Sequence, residues 1–144
     1  MHLIGPGQVG RQFLRQLDAS RLLLLAVTDS TATAYARTGL DAAAIAAHKE
    51  RGEPLRDLAG TETIPTATAI ELVAGDIVVD TTPSHHAQAD RAIERARAAL
   101  RVGARLALAG KNALAIAAPE LLLEHNRGRV GIQAALGGAG RQLV

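Results

Sequence analysis

Residues 1–14 read MHLIGPGQVGRQFL, with glycines at 5, 7 and 10 in the spacing G-x-G-x-x-G. The apolar run over residues 2–5 leads into these glycines. Beyond them Val9, Phe13, Leu14 and Leu17 recur at helical spacing. A strand that turns directly into a helix is the first half of a βαβ unit, so the opening predicts an α/β fold.

Glycine-bearing turns are common, and the spacing alone does not distinguish one from a ligand loop. Three features of context favour a loop that holds a dinucleotide pyrophosphate: the strand before it, the helix it opens, and an acid after the next strand. That acid is Asp29, nineteen residues beyond Gly10. In such a loop Gly5 makes the tight turn, Gly7 lets the backbone approach the phosphates, and Gly10 lets helix pack on strand. The anion sits on unpaired N–H groups at the positive end of the helix. Pro6 has no N–H, so the contacts fall to Gly7, Gln8 and Val9. Asp29 has two readings. As an acceptor of both ribose hydroxyls it favours NAD and repels the 2′-phosphate of NADP; otherwise it caps the turn Asp29-Ser30-Thr31.

The rest of the chain alternates strand and helix. Residues 22–27 (LLLLAV) are apolar throughout, as a parallel strand covered on both faces should be. Residues 28–40 are polar and turn-rich, and Asp41 is a helix cap for an alanine-rich helix ending near Glu50. Residues 51–66 lack periodicity and predict loops or a small excursion. A short helix over 68–74 and a strand over 77–80 follow. Pro83-Ser84 opens a long helix with Ala89, Ile93, Ala96 and Leu100 on one face, ended by Gly103. Then come a strand over 104–109, a helix with Pro119 in its first turn, and a strand over 130–136. The pattern predicts a doubly wound, mostly parallel, Rossmann-like sheet of about six strands, forming one domain over residues 1–144.

Composition narrows the function. The chain has 144 residues, a net charge of +2, one Phe, one Tyr, no Trp and no Cys. Base stacking on aromatic platforms is therefore unavailable, and so are disulfides and thiolate zinc sites. Fourteen of the sixteen basic residues are Arg, and those in residues 91–105 are interrupted by alanines and Glu94. They read as a solvated helix face, so no nucleic-acid partner is expected. No apolar run reaches membrane-span length and no signal peptide opens the chain, so no membrane partner and a cytoplasmic location are expected. His85-His86 lacks a third ligand nearby in sequence and reads as solvent-exposed rather than metal-binding. Ser84 lacks the nucleophile elbow of a serine hydrolase, and no Walker-type lysine follows the glycines.

Four segments occur in order: GPGQVG (5–10), VDTTPS (79–84), LALAGKNALA (106–115) and GIQAALGGAG (131–140). Together, with TDS at 28–30 and GLD at 39–41, they resemble the NAD(P)-binding domain of the homoserine dehydrogenase family across essentially the whole chain. The resemblance implies that residues 5–10 line the pyrophosphate, that Thr82 and Pro83 flank the nicotinamide ribose, and that Lys111 lies near the nicotinamide and substrate hydroxyl. It implies a catalytic Lys111, which would polarise the reacting oxygen. It assigns Gln133 to the substrate amino group, and the backbone carbonyls of Leu136, Gly138 and Gly140 to a monovalent cation.

Two departures stand out. The family's Thr-Ala-Asn-Lys is here Leu108-Ala109-Gly110-Lys111, and its glutamate is Gln133. The family's dimerising, catalytic domain follows the segment where this sequence stops. The resemblance therefore implies the cofactor half of an oxidoreductase acting on a small amino-acid substrate, with NAD or NADP. A missing catalytic domain or a homo-oligomer would complete it. A non-catalytic dinucleotide-binding module, or a dehydrogenase for another small amino or oxo acid, are the other readings.

Overall fold

A computed structural model of the chain describes residues 1–58, 62–73, 76–85, 87, 89–123 and 126–132. Among these, seven strands form one sheet: β1 (His2–Ile4), β2 (Ala26–Thr28), β3 (Thr33–Tyr35), β4 (Glu62–Ile64), β5 (Ile77–Asp80), β6 (Arg105–Leu108) and β7 (Val130–Gly131). Their order is β4-β3-β2-β1-β5-β6-β7. Pairing is parallel from β2 through β7, and β3 and β4 join antiparallel at one edge. Five helices cover the sheet: α1 (Gln8–Gln16), α2 (Ala42–Glu50), α3 (Thr66–Leu72), α4 (Ala89–Arg101) and α5 (Asn112–Leu121). The doubly wound, mostly parallel α/β architecture expected from the sequence is the one observed.

Strand alternation sorts the core into two halves. Leu3, Val27 and Val79 face α1 and α2, where they meet Leu14, Ile45 and Leu55. Ile4, Val78, Leu106 and Leu108 face the other way, onto Ile70, Ile93, Ala96, Leu100 and Leu121. Aliphatic side chains and alanine build both halves, and the close α4–β6 approach uses Ala99 and Ala104, each fully buried.

The local signals explain most element ends. The Asp41 carboxylate accepts from the N–H groups of Ala43 and Ala44, which caps α2 as its sequence predicts. Gly103 takes φ +79° after α4, and the Ala104 N–H reaches back to the Ala99 carbonyl in a Schellman arrangement.

Several expectations need correction. The apolar run 22–27 contributes a strand only at Ala26–Thr28, because β1 and β3, its neighbours, are three residues long. Residues 28–40 hold β3, and residues 51–66 hold a 3-10 turn (Leu55–Asp57) and β4. The short helix begins at Thr66, two residues earlier than its periodicity suggests.

The long helix starts at Ala89, not at Pro83-Ser84. The reason is a competing contact from across the sheet. Ser84 Oγ accepts from the Lys111 N–H at 2.8 Å, and the Pro83 carbonyl accepts from the His85 N–H at 3.1 Å. The segment is thus tied to the loop after β6. α5 begins at Asn112, well before Pro119; its backbone leaves helical geometry at Ala117 (φ −118°, ψ 17°), so Pro119 stands just past a break that tolerates it. The strand expected over 130–136 is seen at Val130–Gly131, and its remainder from Gln133 lies outside the described residues.

Candidate functional site

The sheet order reverses between β1 and β5: β1 leads to β2 on one side, while β5 leads to β6 on the other. Open α/β sheets bind ligands outside the carboxyl ends of their strands at such a point. Gly5 ends β1 there, and Thr81 and Thr82 follow β5.

Two hydrogen bonds lock this crevice. The Gly5 N–H donates to the Thr28 carbonyl at 2.8 Å, and Thr81 Oγ1 donates to the Gly5 carbonyl at 2.6 Å. Gly5 has φ +88°, and a Cβ on it would meet the Thr82 nitrogen at 2.8 Å. A Cβ on Gly10 would stand 2.5 Å from the Gly5 carbonyl oxygen and 2.8 Å from Thr81 Oγ1. Both glycines are required by the protein's own packing. Gly7 differs: a Cβ there meets nothing within 4 Å.

The Gly7 N–H donates to the Gly5 carbonyl at 2.7 Å, so it is already engaged. The helical ladder of α1 begins with the Arg11 N–H on the Gly7 carbonyl, which leaves the N–H groups of Gln8 and Val9 ahead of it. Gly7 caps the helix without any side-chain bond, and Val9 is exposed.

A cleft of about 790 Å³ opens over the crevice. Its floor is the Gly5–Gly7 turn, its far wall Thr82 and Pro83, and one end is bounded by Asp29, Ser30 and Lys49. Thr66 and the α4 residues Arg91, Glu94 and Arg95 complete it. A volume of this order suits a cofactor-sized ligand.

Asp29 is not an open carboxylate. Oδ1 accepts from the Thr31 N–H (2.7 Å), Thr31 Oγ1 (2.6 Å) and the Ala32 N–H (3.1 Å). Oδ2 accepts from Lys49 Nζ at 2.6 Å and the Leu55 N–H at 2.9 Å. Burial works to raise its pKa, but the bonds from Lys49, Thr31 and Leu55 outweigh it and hold the group well below the usual carboxylate range. The turn-capping arrangement of Asp29-Ser30-Thr31 is the one present, extended by a lysine that the sequence did not bring forward.

The sequence does not single out the second acid at this site, which is buried. Asp80, at the end of β5, accepts from the Thr82 N–H and hydroxyl through Oδ1, at 2.9 and 2.6 Å. Its Oδ2 takes a forked bond from Arg95, at 3.1 and 2.8 Å, and Arg95 also donates to Thr82 Oγ1 at 3.0 Å. This network fixes both Thr82 and a guanidinium at the cleft. The available signal was a charged residue closing the otherwise apolar strand IVVD.

Lys111 precedes α5 and is exposed, and it does not line the cleft. Its backbone is nevertheless held against the crevice: besides the bond to Ser84, a Cβ on Gly110 would lie 2.8 Å from the Thr82 carbonyl oxygen. That close approach leaves no room for a side chain at position 110 without a shift of the Thr82 backbone. Gln133, Leu136, Gly138 and Gly140 lie outside the described residues, as do His86 and His125. Among the described residues no group of three His, Cys, Asp or Glu side chains could hold a metal ion, and no helix is long and apolar enough to cross a membrane.

No family model and no curated protein matches the sequence. Solved structures do match. Homoserine dehydrogenase from Thermoplasma acidophilum superposes with a TM-score of 0.72 at 25% identity, over 92% of this chain and 42% of that one. A hyperthermophilic archaeal homoserine dehydrogenase in complex with NADPH gives 0.71 at 19% identity, over 93% and 43%. A mutant hyperthermophilic archaeal homoserine dehydrogenase in complex with NADPH gives 0.70 at 19% identity, over 91% and 43%. The chain spans about two-fifths of the length of these enzymes. The resemblance to the homoserine dehydrogenase family read from the sequence therefore holds in three dimensions, across nearly all of this chain and less than half of each enzyme.

Proposed function

We propose that residues 1–144 form one dinucleotide-binding unit that takes NAD or NADP in the crevice between β1 and β5. It serves as the cofactor half of a homoserine dehydrogenase-like oxidoreductase. The complete reaction interconverts L-homoserine and L-aspartate 4-semialdehyde; the dinucleotide supplies or accepts the hydride. The observation that carries the reading is the contrast among the three glycines. Gly5 and Gly10 are demanded by internal contacts, whereas the space beside Gly7 is open to the cleft, where a phosphate would approach the backbone. In support, two of the similar dehydrogenases are described in complex with NADPH.

The chain's own residues bind and orient. The N–H groups of Gln8 and Val9 are the donors for the pyrophosphate, and Thr82, set by Asp80, borders the nicotinamide half. The occupied oxygens of Asp29 weaken the case for NAD over NADP, because its charge is matched by Lys49. An exposed Lys111 outside the cleft favours the second reading, a dinucleotide-binding module without catalysis of its own. Substrate contact by Lys111 and Gln133, and a cation on Leu136, Gly138 and Gly140, belong to the complete enzyme under the first reading.

Calorimetric titration of NADH and NADPH into the wild-type chain and Gly7→Ala tests the proposal. Binding by the wild type, with about a tenfold loss in Gly7→Ala and an unchanged melting temperature, is expected. Equal affinity in the two proteins overturns it. Homoserine oxidation by the chain alone would exclude the non-catalytic reading.

A further inference from the structure

Residues 53–56 run as a strap from the end of α2 past the Asp29 end of the cleft, and each is fastened. The Glu53 carboxylate and the Pro54 carbonyl meet the two ring nitrogens of His48. Nδ1 lies 2.8 Å from Glu53 Oε2, and Nε2 lies 2.9 Å from the Pro54 oxygen. The Glu53 carbonyl accepts from Lys49 Nζ at 2.8 Å, and the Leu55 N–H donates to Asp29 Oδ2 at 2.9 Å. The Arg56 N–H donates to Thr31 Oγ1 at 3.4 Å. One side of the strap thus holds the imidazole, and the other holds Asp29 and Lys49, the pair that bounds the cleft.

His48 is buried, and both of its ring nitrogens face groups that can only accept. A carbonyl has no proton to give. Nor has Glu53: a forked bond from Arg51, at 2.7 and 2.8 Å, holds its carboxyl below the ordinary value, so it is ionised throughout the neutral range. A neutral imidazole has one donor and one acceptor, so either tautomer turns a lone pair toward an oxygen. The doubly protonated ring has two donors and matches both. Other charges stand nearby. Lys49 and Asp29 are paired with each other, and Arg11 of α1 donates to the Lys49 carbonyl. Arg15 pairs with Glu50 between α1 and α2, and Arg56 lies beside Asp57 on the 3-10 turn. Among the charged side chains of the described residues, Glu53 alone bonds to the ring.

We propose that residues 53–55 form a proton-operated latch on the cleft: a doubly protonated His48 holds the strap closed, with Lys49 on Asp29, and loss of one ring proton opens it. Opening withdraws the Glu53 carbonyl from Lys49 and the Leu55 N–H from Asp29. The Leu55 side chain, almost wholly buried, keeps the strap attached, so the change stays local. The cleft end loses two of the bonds that shape it, and binding there becomes linked to the proton on His48. His48 acts through the strap and touches no ligand, so it is a positioning residue. The latch stands on the His48 contacts alone; its effect on dinucleotide affinity rests on the dinucleotide reading of the cleft.

Two measurements on the wild-type chain, His48→Gln and Glu53→Gln, at about pH 5.5 and about pH 8, test this. One is hydrogen exchange of the Leu55 amide, corrected for its intrinsic rate; the other is NADH titration. NADH is the probe because, unlike NADPH, it carries no phosphate monoester that titrates in this range. The amide of Glu53→Gln can donate as well as accept, so it matches a neutral imidazole and removes the switch while keeping the strap. His85 also lines the cleft but is common to all three proteins, so the difference between them is what is read. Between the two pH values the wild type should lose about tenfold more than either variant in Leu55 protection and in NADH affinity. A loss of protection no greater in the wild type than in Glu53→Gln overturns the latch. The expected loss of protection with no extra loss of NADH affinity overturns its hold on the cleft. Failure of NADH to bind at either pH overturns the dinucleotide reading, and Leu55 protection alone then decides the latch.

Discussion

Asp29 and Lys49 meet at 2.6 Å at one end of the cleft, with both side chains largely withdrawn from solvent. The carboxylate that would select among dinucleotides is thereby neutralised by a residue from the next helix. The same oxygen accepts the Leu55 N–H, so the pair ties the turn after β2 to α2 and to the 3-10 turn beyond it.

Removing the ammonium leaves a poorly solvated carboxylate facing the cleft. Lys49→Met should lower stability by about 2 kcal/mol, below the range for a fully buried pair because solvent reaches both groups. The unpaired negative charge should also repel a 2′-phosphate, so NADPH affinity should fall by more than NADH affinity. Urea denaturation and parallel titrations measure the two effects. An equal fall for both dinucleotides would mean that the Asp29 charge does not reach the ribose.

Gly110 is a steric requirement, not a flexible joint. Its absent Cβ would lie 2.8 Å from a backbone carbonyl, that of Thr82, which cannot swing aside as a side chain could. Gly110→Ala should therefore displace the Thr82–Pro83 segment and destabilise the chain by about 1–3 kcal/mol. Gly52→Ala is the useful contrast. That glycine has φ +79° and open surroundings, so its loss, of about 1 kcal/mol, should reflect backbone strain alone and spare dinucleotide binding. Thermal unfolding with NADH titration separates the two.

The strand–glycine–helix opening, the Asp41 cap and the Gly103 stop were legible because each is a local signal with its cause within a few residues. What stayed hidden was set across the sheet. β3 and β4 form because β3 pairs with β2 and β4 pairs with β3, and neither carries a strong alternating pattern of its own. The long helix begins late because Ser84 is claimed by Lys111, twenty-seven residues away. Lys49, Arg95 and Thr66 reach the cleft from three different helices, and no spacing in the sequence relates them to Gly5. Asp29 is half legible: the sequence shows its position after β2 but not its partners.

Arg95 and Asp80 form a fork whose acid is almost wholly buried. Truncating the arginine to Met keeps the apolar stem and strands the charge. Thr82 still donates two bonds to Asp80, yet a loss of about 3 kcal/mol is expected. Pairing Arg95→Met with Asp80→Asn should recover a large part of it, since the amide carries no charge to bury. A double mutant as unstable as Arg95→Met alone would show that packing of the arginine stem, and not the charge of Asp80, is what the sheet end requires.

His2 gives the fold a definite acid sensitivity. Burial, reinforced by the Met1 ammonium, pushes its pKa down to about 4 from the ordinary 6.5, with Asp80 opposing and Arg95 assisting. Between these values the unfolded chain binds a proton that the folded chain refuses. Stability is complete above pH 6.5 and falls as the pH drops toward 4, by at most about 1.4 kcal/mol per pH unit and about 3 kcal/mol in all. Below pH 4 this group adds nothing further. Asp29 acts in a separate, lower window: its depressed pKa contributes stability above the ordinary carboxylate value that is lost only as the pH falls beneath it. His2→Gln keeps a donor toward Thr28 but cannot titrate. Urea midpoints measured from pH 7.5 to 4 should therefore decline steeply in the wild type and much less in His2→Gln. Parallel declines in the two proteins would remove His2 as the source.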